Sequence, residues 1–197
     1  METFQQEEQP DTQPQAPVEE EINWGRFALD LLETVVLAVV LFVGINAVSA
    51  RVRVDGTSMV PTLQDGEFVL VNKLSYKLGD VSRGDIIVFH YPVNPDEDLI
   101  KRVIGLPGDT VKVQDGQVYV NNMPLTETYI AAAPTYSSEW QVPEDNYFVL
   151  GDNRNNSSDS HSWGLLPSEK IVGKAVVIYW PPPFWKILKH PDILAVQ

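Results

Sequence analysis

The chain has 197 residues, of which 44% are hydrophobic and 10% aromatic, enough to bury a core of ordinary domain size. Its 14 basic and 27 acidic residues give a formal net charge of −13, which opposes attraction to a phosphate backbone, and we therefore expect no nucleic-acid partner. The absence of cysteine excludes disulfides, thiolate metal sites and cysteine nucleophiles, and the three histidines are too scattered to suggest a zinc site.

The N-terminal segment, residues 1–25, has the composition of a disordered tail. Its first 23 residues contain seven acidic residues and no Lys or Arg, among many Gln and Pro. A segment of this kind buries too little apolar surface to become ordered. We therefore predict an acidic tail with no fold of its own.

An apolar stretch follows over residues 26–50, with Asp30 and Glu33 near its start. As a helix at about 1.5 Å per residue it would extend roughly 37 Å, more than the ~30 Å hydrocarbon core of a bilayer. Arg26 stands four residues before Asp30 and can pair with it, so the uncharged part begins at Thr34. We predict one transmembrane helix. A buried core helix fits a run of this length poorly, and a cleaved secretory signal would need a short basic leader.

Residues 51–197 are predicted to form one β-rich domain. Runs of β-branched and aromatic residues bounded by Gly, Pro, Asn or Asp predict strands at 67–71, 85–90, 99–104, 147–150 and 171–180. Residues 110–120 alternate on both sides of Asp115-Gly116, which predicts a hairpin. The fold class expected is mostly β, with antiparallel sheets in a sandwich or barrel after one N-terminal transmembrane helix.

A loop over residues 56–63 contains Ser58 between a flexible Gly56 and a rigid Pro61. Such a loop can present a hydroxyl outward, as a nucleophile requires. Serines beside proline are more often simple turn formers, so this segment alone leaves both interpretations open.

Lys101 and Arg102 are adjacent in the predicted strand 99–104. Successive side chains of a strand face opposite sides, so Lys101 shares a face with Leu99 and Val103 while Arg102 points the other way. One cation must therefore face the apolar side. Lys101 is either a strand-edge lysine that extends its amine to water, or a desolvated lysine whose pKa falls from ~10.4 toward neutrality, so that it can act as a base.

A long polar loop, residues 151–164, follows the predicted strand 147–150. Its Asn, Asp and Ser side chains are typical of a well-capped surface turn. The alternative is a loop whose hydroxyls and carboxylates orient a catalytic group.

Together, and in this order behind one apolar helix, these segments resemble type I signal peptidases over residues 27–180. The resemblance rests on Ser-Met-Val-Pro-Thr-Leu at 58–63, Lys-Arg-Val-Ile-Gly-Leu-Pro-Gly-Asp at 101–109 and Gly-Asp-Asn-Arg-Asn-Asn-Ser-Ser-Asp-Ser at 151–160. It implies a membrane-bound serine endopeptidase that removes N-terminal signal peptides from exported preproteins and cuts after small residues at −1 and −3. It also implies an all-β fold of antiparallel sheets.

The resemblance assigns roles to individual residues. Ser58 is expected to be the nucleophile and Lys101 the general base of a Ser/Lys dyad, and the Ser58 backbone N–H is expected to bind the oxyanion. Supporting roles fall to Ser157, hydrogen-bonded to Lys101, and to Asp152, Arg154 and Asp159, which brace the surrounding loop. No metal or cofactor is expected. Gly56 departs from relatives that supply a second oxyanion donor from a Ser or Thr hydroxyl at this position.

His161 is a second departure, because many relatives carry an Arg there in a salt bridge to the residue matching Asp159. A neutral imidazole would weaken that bridge near neutral pH. The histidines also raise a rival mechanism, in which His161 or His90 is the base for Ser58 and Asp152 or Asp159 orients it.

The resemblance further implies a single-pass protein of the plasma membrane, or of the thylakoid membrane in an organism that has one. Its catalytic domain would be extracytoplasmic, with the bilayer, signal peptides and the export translocon as partners. The charges at the helix ends oppose this orientation, because Arg51 and Arg53 follow the helix and only one Arg precedes it.

Two other classes of protein share some of these features. Self-cleaving repressors share the dyad on a related fold but carry a basic DNA-binding segment, and a binding module that had lost its chemistry would show damage at Ser58 or Lys101. Residues 180–185 are either a packed polyproline arm or an aromatic contact with the lipid interface.

Val48 and Ala50 have the small-residue spacing of a cleavage site for this family. Self-cleavage in cis would require residues 51–57 to fold back as a free tether, whereas Arg51-Val-Arg-Val alternates as a strand does. We therefore expect the bond after Ala50 to survive in cis, and any clipping to be slow and intermolecular.

Overall fold

The computed structural model describes residues 24–189, so the predicted tail, except for its last two residues, lies outside the described part. The described chain divides into two compact units, residues 24–42 and 43–189. Helix α1 (Trp24–Val48) contains no buried residue and is the one described helix long and apolar enough to cross a membrane. The hydroxyls of Thr34, within the helix, and Ser49, just after it, donate to the helix carbonyls of Asp30 and Ile45.

The rest of the described chain is dominated by antiparallel strands, which confirms the predicted fold class. The elements are β1 (Ser49–Arg53), β2 (Phe68–Asn72), α2 (Ser75–Leu78), β3 (Ile86–His90), β4 (Asp98–Gly105), β5 (Thr110–Gln114), β6 (Gln117–Val120), β7 (Met123–Pro124), β8 (Ser138–Gln141), β9 (Asn146–Leu150), α3 (Ser160–Trp163), β10 (Leu166–Pro167), β11 (Ile171–Trp180) and β12 (Lys186–Ile187).

The strands form two sheets. The larger has the order β1-β2-β11-β3-β4-β9-β10, with β12 paired to β11. The smaller has the order β7-β6-β5-β8 and contains the predicted hairpin, in which Asp115 and Gly116 both have positive φ, as a type I′ turn requires. The small sheet packs against β4 and against β9, the strand that leads into the polar loop: valines 111, 113, 118 and 120 of the hairpin pack with Ile104, Phe148 and Leu150.

Strand β1 confirms the strand expected after the apolar helix. It pairs with β2 in register from Ser49 opposite Asn72 to Arg53 opposite Phe68, and Ala50 lies opposite Val71. The residues just after the predicted cleavage-like sequence are therefore held in the sheet.

The structure adds elements that the sequence patterns missed. Strands β7, β10 and β12 have two residues each, too few for a period to appear, and β8 is the mainly polar sequence Ser-Glu-Trp-Gln. After β11 the chain forms a 3₁₀ turn at Pro182–Phe184 and then β12. Trp180, Phe184 and Trp185 are 51, 57 and 72% exposed, so this segment is not a packed arm.

Candidate active site

The structure brings Ser58 and Lys101 together across 43 positions of sequence. Lys101 lies in the middle of β4, opposite Ile87 of β3, and its Nζ donates hydrogen bonds to the Ser58 Oγ and the Ile100 carbonyl, both at 2.9 Å. Lys101 is only 2% exposed. This contradicts a strand-edge lysine that reaches water and leaves the desolvated lysine.

Burial has the expected effect on the Lys101 amine. Desolvation lowers its pKa to about 8, although the Asp159 and Asp152 carboxylates partly oppose the shift. Within residues 24–189 the amine forms no ion pair, because each of these carboxylates is engaged elsewhere. A far larger fraction of Lys101 is therefore neutral near physiological pH than of an exposed lysine, while the ammonium form still predominates there.

The loop that carries Ser58 is fixed at both ends. Gly56 has a φ of 86°, a conformation that suits glycine, and donates its N–H to Asp65 at 2.9 Å. Met59 and Leu63 are 1% and 0% exposed in the core. Among the described residues nothing accepts a hydrogen bond from the Ser58 backbone N–H. That donor is free for an incoming oxygen.

Asp152 and Arg102 form a buried ion pair behind this loop. The Arg102 Nε and Nη2 donate to the two Asp152 oxygens at 2.8 and 2.7 Å, and the Thr62 hydroxyl donates to Asp152 at 2.5 Å. The Tyr129 ring stacks on the guanidinium at 4.0 Å. Because Thr62 belongs to the Ser58 loop and Arg102 to β4, Asp152 ties the two predicted dyad residues to one scaffold.

Arg154 is held by a residue that the sequence analysis missed. Its guanidinium pairs with Glu127 at 2.8 and 2.7 Å, and its Nε donates to the Gly151 carbonyl at 3.1 Å. Glu127 lies in a stretch without strand or helix periodicity, 27 residues before Arg154 in sequence. No pattern in the sequence identifies Glu127. The only signal is the general rule that an arginine, if buried, needs a carboxylate partner.

Asp159 closes the polar loop. Its Oδ2 accepts from the Gly151 N–H at 2.9 Å, its Oδ1 caps α3, and His161 Nδ1 lies 2.6 Å from that oxygen. The His161 ring also stacks on Tyr136 with centroids 4.3 Å apart. The hydrogen bond with Asp159 raises the pKa of His161, which favours the charged ring and offsets the predicted weakening of this bridge.

Comparison with known proteins identifies the family. The family model described as "Signal peptidase, peptidase S26" matches residues 28–180. The chain belongs to this family. A probable signal peptidase I-2 of Synechocystis sp. is 49% identical over 166 residues, 79% of this chain and 74% of that protein. Signal peptidase I of Leptolyngbya laminosa is 44% identical over 183 residues, 87% and 89% of the two chains.

A solved structure is also similar. A signal peptidase I from Enterococcus faecalis V583 is 35% identical, covers 49% of this chain and 97% of its own, and has a TM-score of 0.46. The sequence relatives confirm the resemblance to signal peptidases. The chain is accordingly a serine peptidase, a hydrolase of the class that removes signal peptides from preproteins.

One predicted contact of this signal peptidase is wrong. In the described chain the Ser157 Oγ is buried without a hydrogen-bond partner, so the expected bond to Lys101 is not formed. The Lys101 amine is instead directed to Ser58 and the Ile100 carbonyl, while the Ser157 side chain packs against Gly151. Asp152, Arg154 and Asp159, in contrast, all lie in the network described above.

Gly151 of the polar loop lies against the loop that carries Ser58. We expect Gly151→Ala to lower cleavage at least ~100-fold. A Cβ there would lie 2.5 Å from the Ser58 carbonyl oxygen, and that oxygen is already held by the Asn153 N–H at 3.0 Å. Displacing a reacting group by about 1 Å costs on this order. Gly79→Ala is the matched control, because its Cβ would meet only ordinary contacts. Equal cleavage rates for the two variants would contradict the steric argument.

Proposed function

We propose that this chain is a membrane-bound endopeptidase that removes signal peptides through an acyl-enzyme, with Ser58 as nucleophile and Lys101 as general base. The observation that carries the proposal is the 2.9 Å contact between a serine hydroxyl and a buried lysine whose pKa is lowered to about 8. A serine hydroxyl attacks only when a nearby base takes its proton, and a lysine is a base only when neutral.

The proposed reaction has two halves. The Ser58 Oγ attacks the scissile carbonyl carbon while its proton passes to Lys101 Nζ, and the resulting ammonium then protonates the departing amine of the mature protein. The signal peptide remains as an ester on Ser58. A water, deprotonated by the same amine, attacks the ester and releases the peptide carboxylate, which regenerates both side chains.

The negative oxygen of each tetrahedral intermediate needs a donor that is already in place. The free Ser58 N–H is such a donor. Gly56 contributes no hydroxyl, and the structure shows no contact that aims the neighbouring Thr57 hydroxyl, which accepts a hydrogen bond from the Asn156 amide at 3.1 Å, toward the Ser58 Oγ among the described residues. We therefore assign the oxyanion to the Ser58 N–H.

We propose specificity for small substrate residues from the size of the cavity beside Ser58 and Lys101. It has a volume of about 70 Å³ and is lined by Ser58, Lys101, Met59, Ile100 and residues at the end of β1. A cavity this small favours a short side chain such as alanine at −1, in keeping with the family's preference at −1 and −3.

The test is cleavage of a preprotein with Ala at −3 and −1 by the purified full chain in detergent. We expect a single product whose new N-terminus is the residue after the −1 Ala, and no product when that Ala is replaced by Leu. Ser58→Ala serves as the inactive control. Cleavage by Ser58→Ala would exclude this function for the site.

The histidine mechanism predicts a different result for His161. The His161 ring is held by Asp159 and Tyr136, and His90 pairs with Asp98 at 2.7 Å, while the hydrogen bond to the Ser58 Oγ comes from Lys101. We therefore expect His161→Ala to retain most of its cleavage activity in the same assay. A loss as severe as that of Ser58→Ala would favour the histidine mechanism.

For topology, we propose that residues 1–25 are cytoplasmic and residues 51–197 extracytoplasmic, anchored in the plasma or thylakoid membrane close to the export translocon. The length and apolar character of α1 support an anchor. Protease added to intact right-side-out vesicles should digest the domain and spare the tail. Digestion of the tail alone would support the orientation predicted by Arg51 and Arg53 instead.

A further inference from the structure

A polar cavity and an apolar groove lie next to each other where the chain leaves α1. Lys73, just after β2, donates its backbone N–H to the carbonyl of Val48, the last residue of α1, at 2.9 Å. Along residues 72–77 the linings interleave: Asn72 and Leu74 line the groove, whereas Lys73, Tyr76 and Lys77 line the cavity. Both features are therefore close to the end of the apolar helix.

The polar cavity is suited to an anion. Its volume is about 230 Å³, far above the ~10–15 Å³ that holds a single water. Two lysines line it, Lys73 and Lys77, and among residues 24–189 neither forms an ion pair. Asp80 is the one acidic residue in the lining, so the lining carries a net positive charge. Ser168 adds a hydroxyl donor.

The neighbouring groove is mainly apolar. It has a volume of about 290 Å³, and its lining includes Val48, Leu70, Leu74 and Val176. Leu78, at the end of α2 between the cavity residues Lys77 and Gly79, is 83% exposed. A cationic cavity adjoining an apolar groove matches an amphiphile with an anionic head and a hydrocarbon tail better than a free anion, which would leave the groove uncovered.

We propose that this edge binds one anionic phospholipid, with its phosphate between Lys73 and Lys77 and the start of an acyl chain in the groove. The proposal rests on the proposed insertion of α1 in a membrane, which brings lipid headgroups to the helix end. Each lysine near an anionic headgroup contributes an attraction that changes affinity roughly fivefold, and tyrosine is a common residue at this depth.

The test is thermal unfolding of the full chain in detergent micelles, titrated with short-chain phosphatidylglycerol. A ligand that binds only the folded state raises the unfolding midpoint as its concentration increases. We expect saturable stabilisation by dioctanoyl phosphatidylglycerol, and much weaker effects of dioctanoyl phosphatidylcholine and inorganic phosphate. If inorganic phosphate raises the unfolding midpoint as much as phosphatidylglycerol does, the site binds a simple anion. If phosphatidylcholine raises it as much, the lysines do not recognise the headgroup. Either result overturns the proposal.

Variants assign the effect to the cavity. Lys73→Gln with Lys77→Gln should weaken phosphatidylglycerol binding about thirtyfold, while Lys→Arg at both positions should retain it. Lys112→Gln with Lys189→Gln removes the same charge outside the cavity and should bind as the wild type does. Asp80→Asn removes the one repelling carboxylate and should bind more tightly. Unchanged binding by the Lys73/Lys77 glutamine variant would refute the site.

Cleavage measured in the same micelles separates this proposal from the function of the Ser58 site. The Lys73/Lys77 glutamine variant should cleave a preprotein at the wild-type rate in detergent, since neither lysine lies in the Ser58 site. A wild-type chain that binds the lipid but does not cleave would refute the proposed function only.

Discussion

Replacing Lys101 with alanine is expected to lower preprotein cleavage by about 10³- to 10⁴-fold or more, with the fold intact. Ser58→Ala should lose as much, and the double variant should lose little beyond either single one, because the two side chains act as one proton-transfer unit. The measurement is the single-turnover cleavage rate of each variant, with circular dichroism as the control for folding. Additive losses in the double variant would contradict a shared proton.

The same lysine predicts the pH dependence of the reaction. Because desolvation lowers the Lys101 pKa to about 8, the neutral base gains population as pH rises, so kcat/KM should increase through pH 8 and level off above it. Lys101→Arg should remain inactive throughout, since a guanidinium stays protonated at every accessible pH. Cleavage independent of pH between 6 and 9 would argue against a lysine base.

Breaking the buried ion pair of Arg102 and Asp152 should have the largest effect on stability. Arg102 is 1% exposed and Asp152 is fully buried, so Asp152→Ala leaves a guanidinium without compensation and should cost about 3–5 kcal/mol of unfolding free energy. The Thr62 hydroxyl loses its acceptor in the same variant, which loosens the loop that carries Ser58. Denaturant unfolding of the purified chain measures the loss.

Two controls test whether the loss of stability comes from leaving a buried charge unpaired or simply from removing a charged side chain. Replacing both partners, Arg102→Met with Asp152→Leu, should recover much of the stability, because no unpaired charge remains. Asp98→Asn removes a carboxylate from the exposed His90 pair, where the side chains are 53 and 41% accessible, and should cost at most about 1 kcal/mol. Equal losses for Asp98→Asn and Asp152→Ala would refute the role of burial.

Long elements and local motifs could be predicted from the sequence. The hairpin at 110–120 and the strands around Lys101 follow from alternation and turn residues, which depend on neighbours along the chain. The contact of Ser58 with Lys101 came from the resemblance, because periodicity does not report contacts over 43 residues.

The network behind the dyad could not be predicted. Alternation placed Lys101 and Arg102 on opposite faces and required only one to be buried, yet β4 is covered on both sides and both cations are buried. The second burial is offset by Asp152, a partner 50 positions away. Glu127 was missed for the same reason, since charge pairing across loops leaves no local pattern.

We expect strand β1 to protect the protein from its own proposed activity. An enzyme with the proposed specificity carries Val48 and Ala50 at −3 and −1 of its own chain, and a protease substrate must be extended and unpaired to enter a cleft. Ala50 is instead paired opposite Val71, so resistance depends on the stability of the β1–β2 ladder and not on the sequence at the helix end. Val52→Pro, which weakens that ladder, should turn the enzyme into its own substrate, with Arg51 as the new N-terminus.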